Sequence, residues 1–196
     1  PVGADRQDDH GAVMPALTMD CPRCWAKKKD CKLCKGTGKV PDRQLSPNFK
    51  LSELVGSNTA KAKGLANDPS SEVEDALEDL CKDALEPIRA MVGPLKVNSG
   101  YRSEAVNKAV GGSKSSAHCF GHAADVVPLK CTWKEAMDKI VGSDLDLDQV
   151  IFEHTWLHIG HVHPKTGEKR GEALTMFKRG GKMVYEEYDS DDERLT

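Results

Sequence analysis

The stretch Ser116-Ala117-His118-Cys119-Phe120-Gly121-His122-Ala123-Ala124-Asp125, answered further along by Glu153-His154-Thr155-Trp156-Leu157-His158, decides how this chain reads. It offers imidazoles and carboxylates in an order that can meet around one ion. A catalytic zinc takes three such protein ligands and leaves a fourth position open for water. Gly121 permits a bend that brings His118 back toward Asp125 in the following strand. Alternation from Trp156 to Val162 places Trp156, His158 and Gly160 on one face and Leu157, Ile159 and His161 on the other. One face can then serve a metal while the other is buried. Taken singly, each histidine reads more readily as a hydrogen-bonded or surface residue than as a ligand.

The surrounding pattern is mixed. Leu95 to Asn98 alternates as a short strand, and Ser103 to Val110 has helical spacing closed by Gly111-Gly112. Between them stands Ser99-Gly100-Tyr101-Arg102. Ala123 to Val127 reads as a buried strand, Thr132 to Val141 as a helix capped by Thr132, and 148–153 and 156–162 as two more strands. Upstream, Val73, Ala76, Leu77, Leu80, Cys81, Ala84, Leu85 and Ile88 recur at helical spacing, with Gly93-Pro94 as the stop. Pro87 predicts a kink or an early end. Met176 to Tyr185 reads as a terminal hairpin turning at Gly180-Gly181, followed by an acidic, solvated tail. The fold class expected is α+β: a small, mostly antiparallel sheet with flanking helices carrying a mononuclear zinc site, plus a small N-terminal zinc knuckle.

The chain of 196 residues holds one ordinary domain and a small appendage. The expected division is an irregular arm at 1–20, a four-cysteine module at 21–40, a main domain at 47–165, and a hairpin with acidic tail at 166–196. A net charge of -3 gives no general reason to expect nucleic-acid binding. No apolar run is long enough to span a membrane, and the first residues lack the basic and apolar pattern of a signal peptide. The expectation is a chain made in the cytoplasm that neither crosses nor binds a membrane.

Of seven cysteines, Cys21, Cys24, Cys31 and Cys34 are crowded together, which favours metal over disulfides. Their four thiolates are the closed tetrahedral set of a structural zinc. With few apolar neighbours, the segment draws its folding energy from the metal, and its expected task is docking to a wall, a partner protein or another copy.

Ser99-Gly100-Tyr101-Arg102-Ser103, Asn107, Ser116-x-His118-x-x-Gly121-x-Ala123-x-Asp125, 149–153 and Trp156-Leu157-His158 together resemble the zinc D-alanyl-D-alanine carboxypeptidases and related phage endolysins, a superfamily that includes the hedgehog signalling domain. The resemblance covers about 49–163. It implies that His118, Asp125 and His158 hold a catalytic zinc, and that Arg102 binds a substrate carboxylate or polarises the scissile carbonyl. Ser116 would contact substrate or support the ligand loop, unless it is a simple turn residue. The best-known members carry a carboxylate about three residues before the last histidine, where this chain has Thr155. Glu153 is the nearest alternative and becomes the expected general base if 154–156 make a tight turn. His154 and His161 are reserve candidates for stabilising the transition state.

The resemblance implies hydrolysis of D-amino-acid-containing bonds in the stem peptides of bacterial peptidoglycan, at the cell wall. The enzyme would serve in phage lysis or as a virion component among tail proteins. The alternative is a non-catalytic virion protein that keeps the fold. Cys31-Lys32-Leu33-Cys34-Lys35-Gly36-Thr37-Gly38 also resembles a half-site of the J-domain chaperone zinc module, over too short a stretch to carry a function.

Overall fold

The structure, a computed structural model, describes residues 16–195. In chain order these form β1 (Thr18–Asp20), β2 (Lys39–Pro41), β3 (Gln44–Ser46), β4 (Phe49–Lys50), α1 (Leu51–Val55), α2 (Asn58–Lys63), α3 (Ser71–Leu80), α4 (Glu86–Val92), β5 (Leu95–Ser99), α5 (Glu104–Ala109), β6 (Ala123–Pro128), α6 (Trp133–Val141), β7 (Gln149–Phe152), β8 (Leu157–Gly160), β9 (Glu172–Arg179) and β10 (Lys182–Glu187). The central sheet has six strands in the order β10-β9-β7-β8-β6-β5. Every pair is antiparallel except β7 with β9. This is the mixed, mostly antiparallel architecture expected, with helices flanking a small sheet.

Strand alternation divides the sheet into two unlike faces. Ala124, Val126, Val150, Phe152, Leu157 and Ile159 are buried in one core with Leu77, Leu80, Leu85 and Ile88 of the long helical segment and Met137 and Ile140 of α6. The opposite face carries one cross-strand row: Ser99 pairs with Asp125, Asp125 with His158, His158 with Ile151, and Ile151 with Leu174. The polar members of that row, Ser99, Asp125 and His158, line an open cleft bordered by residues of α2 and α5.

Local chemistry explains the element ends. Thr132 accepts from the Glu135 backbone while the Glu135 side chain returns to the Thr132 N–H, a reciprocal cap on α6. Gly180 and Gly181 take φ of 57° and 80°, the left-handed pair that a two-residue hairpin loop needs.

Three expectations are corrected. The long helical segment does not end at Pro87: a π-helical turn over Cys81–Leu85 joins α3 to α4. The widened turn places Pro87 in the first turn of α4, where its missing N–H is not required. The arm expected to lack structure through residue 20 forms β1 at its end, pairing with β2 and burying Met19. Residues 1–15 of that arm lie outside the described residues.

The acidic tail is not simply solvated. Tyr188 donates to Asp138 of α6 at 2.6 Å, and Leu195 is buried in the main core. Replacing Leu195 with Ala is therefore expected to destabilise the protein by about 2 kcal/mol, the lower end of buried Leu-to-Ala costs, as read from chemical denaturation. A freely solvated tail would leave the midpoint unmoved.

Candidate metal centre

His118, Asp125 and His158 converge from three places in the chain. His118 sits in a short 3-10 turn, Ala117–Phe120, that ends at Gly121 with φ of 77°. A side chain at Gly121 would sit 2.7 Å from the Val73 carbonyl oxygen, so both the turn and the approach to α3 require glycine. Asp125 and His158 are cross-strand partners of β6 and β8.

The donor atoms face one another. His118 Nε2 lies 3.2 Å from Asp125 Oδ1 and 3.2 Å from His158 Nδ1, and His158 Nδ1 lies 3.0 Å from Asp125 Oδ1. Nitrogen and oxygen donors placed tetrahedrally at zinc bond lengths stand about 3.3 Å apart. His118 Nδ1 is 2.7 Å from the Gly100 carbonyl, which can only accept, so this nitrogen carries the proton and Nε2 presents its lone pair. Lone pairs and a carboxylate oxygen aimed at one point fit a divalent cation.

Electrostatics favour the ligand forms. Burial lowers the pKa of His118 and keeps its imidazole neutral, against the opposing pull of Asp125. Burial alone would raise Asp125, but charge and hydrogen bonds from His118 and His158, when these rings carry the proton in place of a metal, outweigh it and hold the carboxyl far below the ordinary range.

Arg102 completes the support. Its Nη2 donates to Asp125 Oδ2 at 2.7 Å and its Nε to Ser99 Oγ at 3.0 Å. The guanidinium expected to meet substrate is thus also tied to a ligand carboxylate, leaving Nη1 without a hydrogen bond among the described residues. Arg102 lines a cleft of about 820 Å³ together with Ser116, His118, Asp125, Glu153, Trp156, His158 and Tyr185. The Ser116 carbonyl accepts from Cys119 N–H, holding the 3-10 turn.

Glu153 reaches this cleft through the tight turn that the sequence required. Its N–H donates to the Trp156 carbonyl at 3.0 Å, leaving His154 and Thr155 as a two-residue loop with His154 at φ of 61°. Burial raises the Glu153 pKa, and the charge of Asp125 raises it further. Thr155 is exposed at the turn tip.

The reserve histidines are placed elsewhere. His154 donates from Nε2 to the Met176 carbonyl at 2.6 Å, and its ring stands beside Phe152 and Phe177. His161 is buried on the helix side, 3.8 Å from Asp83, and is not among the residues lining the cleft.

Some residues that build the site carry no motif. Asn67, fully buried, supports the backbone on both sides of Arg102. Its surroundings, Asn67-Asp68-Pro69, signal only a turn. Tyr185 belongs to the expected hairpin, yet its pairing with Met176 puts it on the cleft face. Nothing in the local pattern announces that.

The four cysteines form the second donor cluster, lying between β1 and β2. Cys21 and Cys31 sulfurs are 3.8 Å apart, and those of Cys24 and Cys34 3.6 Å. Four thiolates at zinc–sulfur bond lengths stand about 3.8 Å apart. A backbone hydrogen bond involving Cys34 lowers the Cys31 thiol to about 7, while burial pushes the Cys21 thiol up to about 12. All seven cysteines are free thiols. The six residues between the two pairs are turned by left-handed backbone at Trp25 and Ala26.

No helix among the described residues is long and apolar enough to cross a membrane. Comparison with known proteins agrees with the geometry. Part of the chain is similar to the zinc D-Ala-D-Ala carboxypeptidase of Streptomyces albus G, 36% identical over 81 residues, or 40% of this chain. The aligned part spans 31% of that protein's length. A family model described as Peptidase M15 matches residues 47–160, which include Arg102, Glu153 and all three members of the His-Asp-His trio, and the chain therefore belongs to the peptidase M15 family.

Proposed function

We propose that this chain is a zinc metallopeptidase that hydrolyses D-amino-acid-containing peptide bonds of bacterial peptidoglycan. The observation that carries the reading is the convergence of His118 Nε2, Asp125 Oδ1 and His158 Nδ1 in a cleft that also holds Glu153. When bound, zinc supplies a Lewis acid with an open position and acidifies water there.

The chain's own residues divide the remaining work. Glu153 accepts a proton from the attacking water and returns it to the leaving amine, and its raised pKa suits both transfers. Arg102 holds Asp125 through Oδ2 and offers Nη1 to the substrate. Ser116, at the cleft wall, contacts the peptide. Tyr185, Leu174 and Trp156 form the wall against which the substrate lies.

The D-configured substrate is supported by the named activity of the Streptomyces relative and by the motif resemblance. A role in phage lysis or in tail-borne wall penetration rests on the resemblance alone. The test is incubation with purified peptidoglycan before and after chelation. Release of free amines by the zinc-loaded protein, lost with chelator and restored by zinc, is the expected result. A zinc-loaded protein that releases nothing from any wall chemotype would leave a binding protein that retains the fold.

A further inference from the structure

The four-cysteine cluster is joined to the His-Asp-His trio by a continuous set of contacts. Asp125 Oδ2 is held by Arg102. The backbone on either side of Arg102 hangs on one buried amide: Asn67 Nδ2 donates to the Tyr101 carbonyl at 3.1 Å, and Asn67 Oδ1 accepts from Ser103 N–H at 2.7 Å. The same Nδ2 donates to the Val55 carbonyl at 2.9 Å, so Asn67 has few positions open to it.

Asn67 is in turn held by the cysteine module. Its backbone N–H donates to the Pro22 carbonyl at 2.8 Å, and Pro22 lies between Cys21 and Cys24. Trp25 follows Cys24 and anchors the same turn, donating from Nε1 to the Leu65 carbonyl at 2.8 Å. Its ring is buried against Ala60 and Val106, with the Lys61 ammonium 5.2 Å from the ring centroid. Arg23 Nε donates to Asp68 at 2.9 Å. These contacts bracket residues 65–68 from one side.

The module's own conformation needs an external constraint. Trp25 and Ala26 take φ of 49° and 62°, an unfavourable region for residues with a side chain. Two buried thiol pairs gathered at one point supply that constraint when they bind a metal.

We propose that metal in the four-cysteine cluster tunes the His118–Asp125–His158 site from a distance, with Trp25 and Asn67 as positioning residues. It fixes the turn at 65–68, Asn67 fixes the backbone of Arg102, and Arg102 orients the Asp125 carboxylate. The module expected to dock onto other molecules is docked on its own domain. The proposal rests on reading the trio as metal ligands and requires no peptidase activity.

The test uses the full chain loaded with cobalt(II), whose absorption from sulfur ligands reports the cysteine cluster separately from the nitrogen and oxygen site. Competing chelator then measures how tightly each metal is held in wild type, Trp25→Ala and Asn67→Ala. Leu195→Ala serves as a control that lowers stability at a residue outside the relay. All are expected to bind both metals at saturation. Both relay variants should release the metal of the His-Asp-His site at roughly tenfold lower chelator, the low end of the range for supporting contacts around a ligand, while Leu195→Ala matches wild type.

Identical release curves for wild type and both relay variants would overturn the proposal. So would a loss confined to Asn67→Ala, since the relay would then stop short of the cysteines. Should Asn67→Ala fail to fold, Trp25→Ala still decides. A wild type that binds metal only at the cysteines would instead refute the reading of the trio, a result visible before any variant is made.

Discussion

Replacing Glu153 with Gln is expected to lower kcat by about 10²- to 10⁴-fold, the usual contribution of a positioned general base, while both metals stay bound. The amide keeps the shape of the side chain and loses only its capacity to take a proton. A second consequence has the opposite sign. Burial and the charge of Asp125 raise the Glu153 pKa, so the folded, metal-free protein holds that proton more tightly than the unfolded chain does. Stability from this group is fully present below the ordinary glutamate range and is lost as pH rises through the raised folded value.

Above the ordinary glutamate range this group therefore destabilises the metal-free fold, and Glu153→Gln should melt at a higher temperature than wild type at neutral pH. The gap should close as pH falls below the ordinary carboxylate range, where the native side chain is also neutral. Calorimetry of the two metal-free proteins at neutral and acid pH checks this. A variant that melts lower than wild type at neutral pH would mean that Glu153 is paired rather than poised.

Asp125→Ala is expected to abolish binding at the nitrogen and oxygen site and leave the cysteine cluster loaded, so that elemental analysis finds one zinc fewer. It removes one donor from the trio and the only carboxylate partner of Arg102 among the described residues. Leaving a largely buried guanidinium unpaired costs about 3–5 kcal/mol where both partners were sequestered. The Arg102 side chain retains 17% exposure, so the loss should fall below that range. Asp125→Asn separates the two effects, since it keeps the shape but neither the charge nor full metal affinity. An Asp125→Ala protein that retains two zinc ions would remove Asp125 from the ligand set.

How much of this was legible in the sequence depended on whether the determinant was local. Alternation in 156–162 assigned the two faces of that strand because a period of two leaves a side chain no other choice. Capping at Thr132 and the glycine turn at 180–181 were legible for the same reason. Glu153 was reachable from the sequence only conditionally, through a turn whose tightness depends on β7 pairing with β8.

What was not legible depended on partners distant in the chain. Pro87 signals interruption by itself, and its accommodation requires a π-helical turn formed upstream. Leu195 lies in an acidic stretch that reads as solvated until the core offers it a place. Asn67 stands in a simple turn signal and Trp25 in no pattern at all, yet each is held by groups that folding alone assembles. The four cysteines announced a metal cluster, but not the surface on which it would rest.

One divalent ion should sit between two imidazoles and a carboxylate beside Glu153. Crystals of the zinc-loaded protein, with anomalous data collected across the zinc absorption edge, test it most directly. A peak is expected about 2.0–2.2 Å from His118 Nε2, Asp125 Oδ1 and His158 Nδ1, with a fourth position open toward the Glu153 carboxylate. Anomalous density confined to the four cysteines, with those three side chains free of metal, would contradict it.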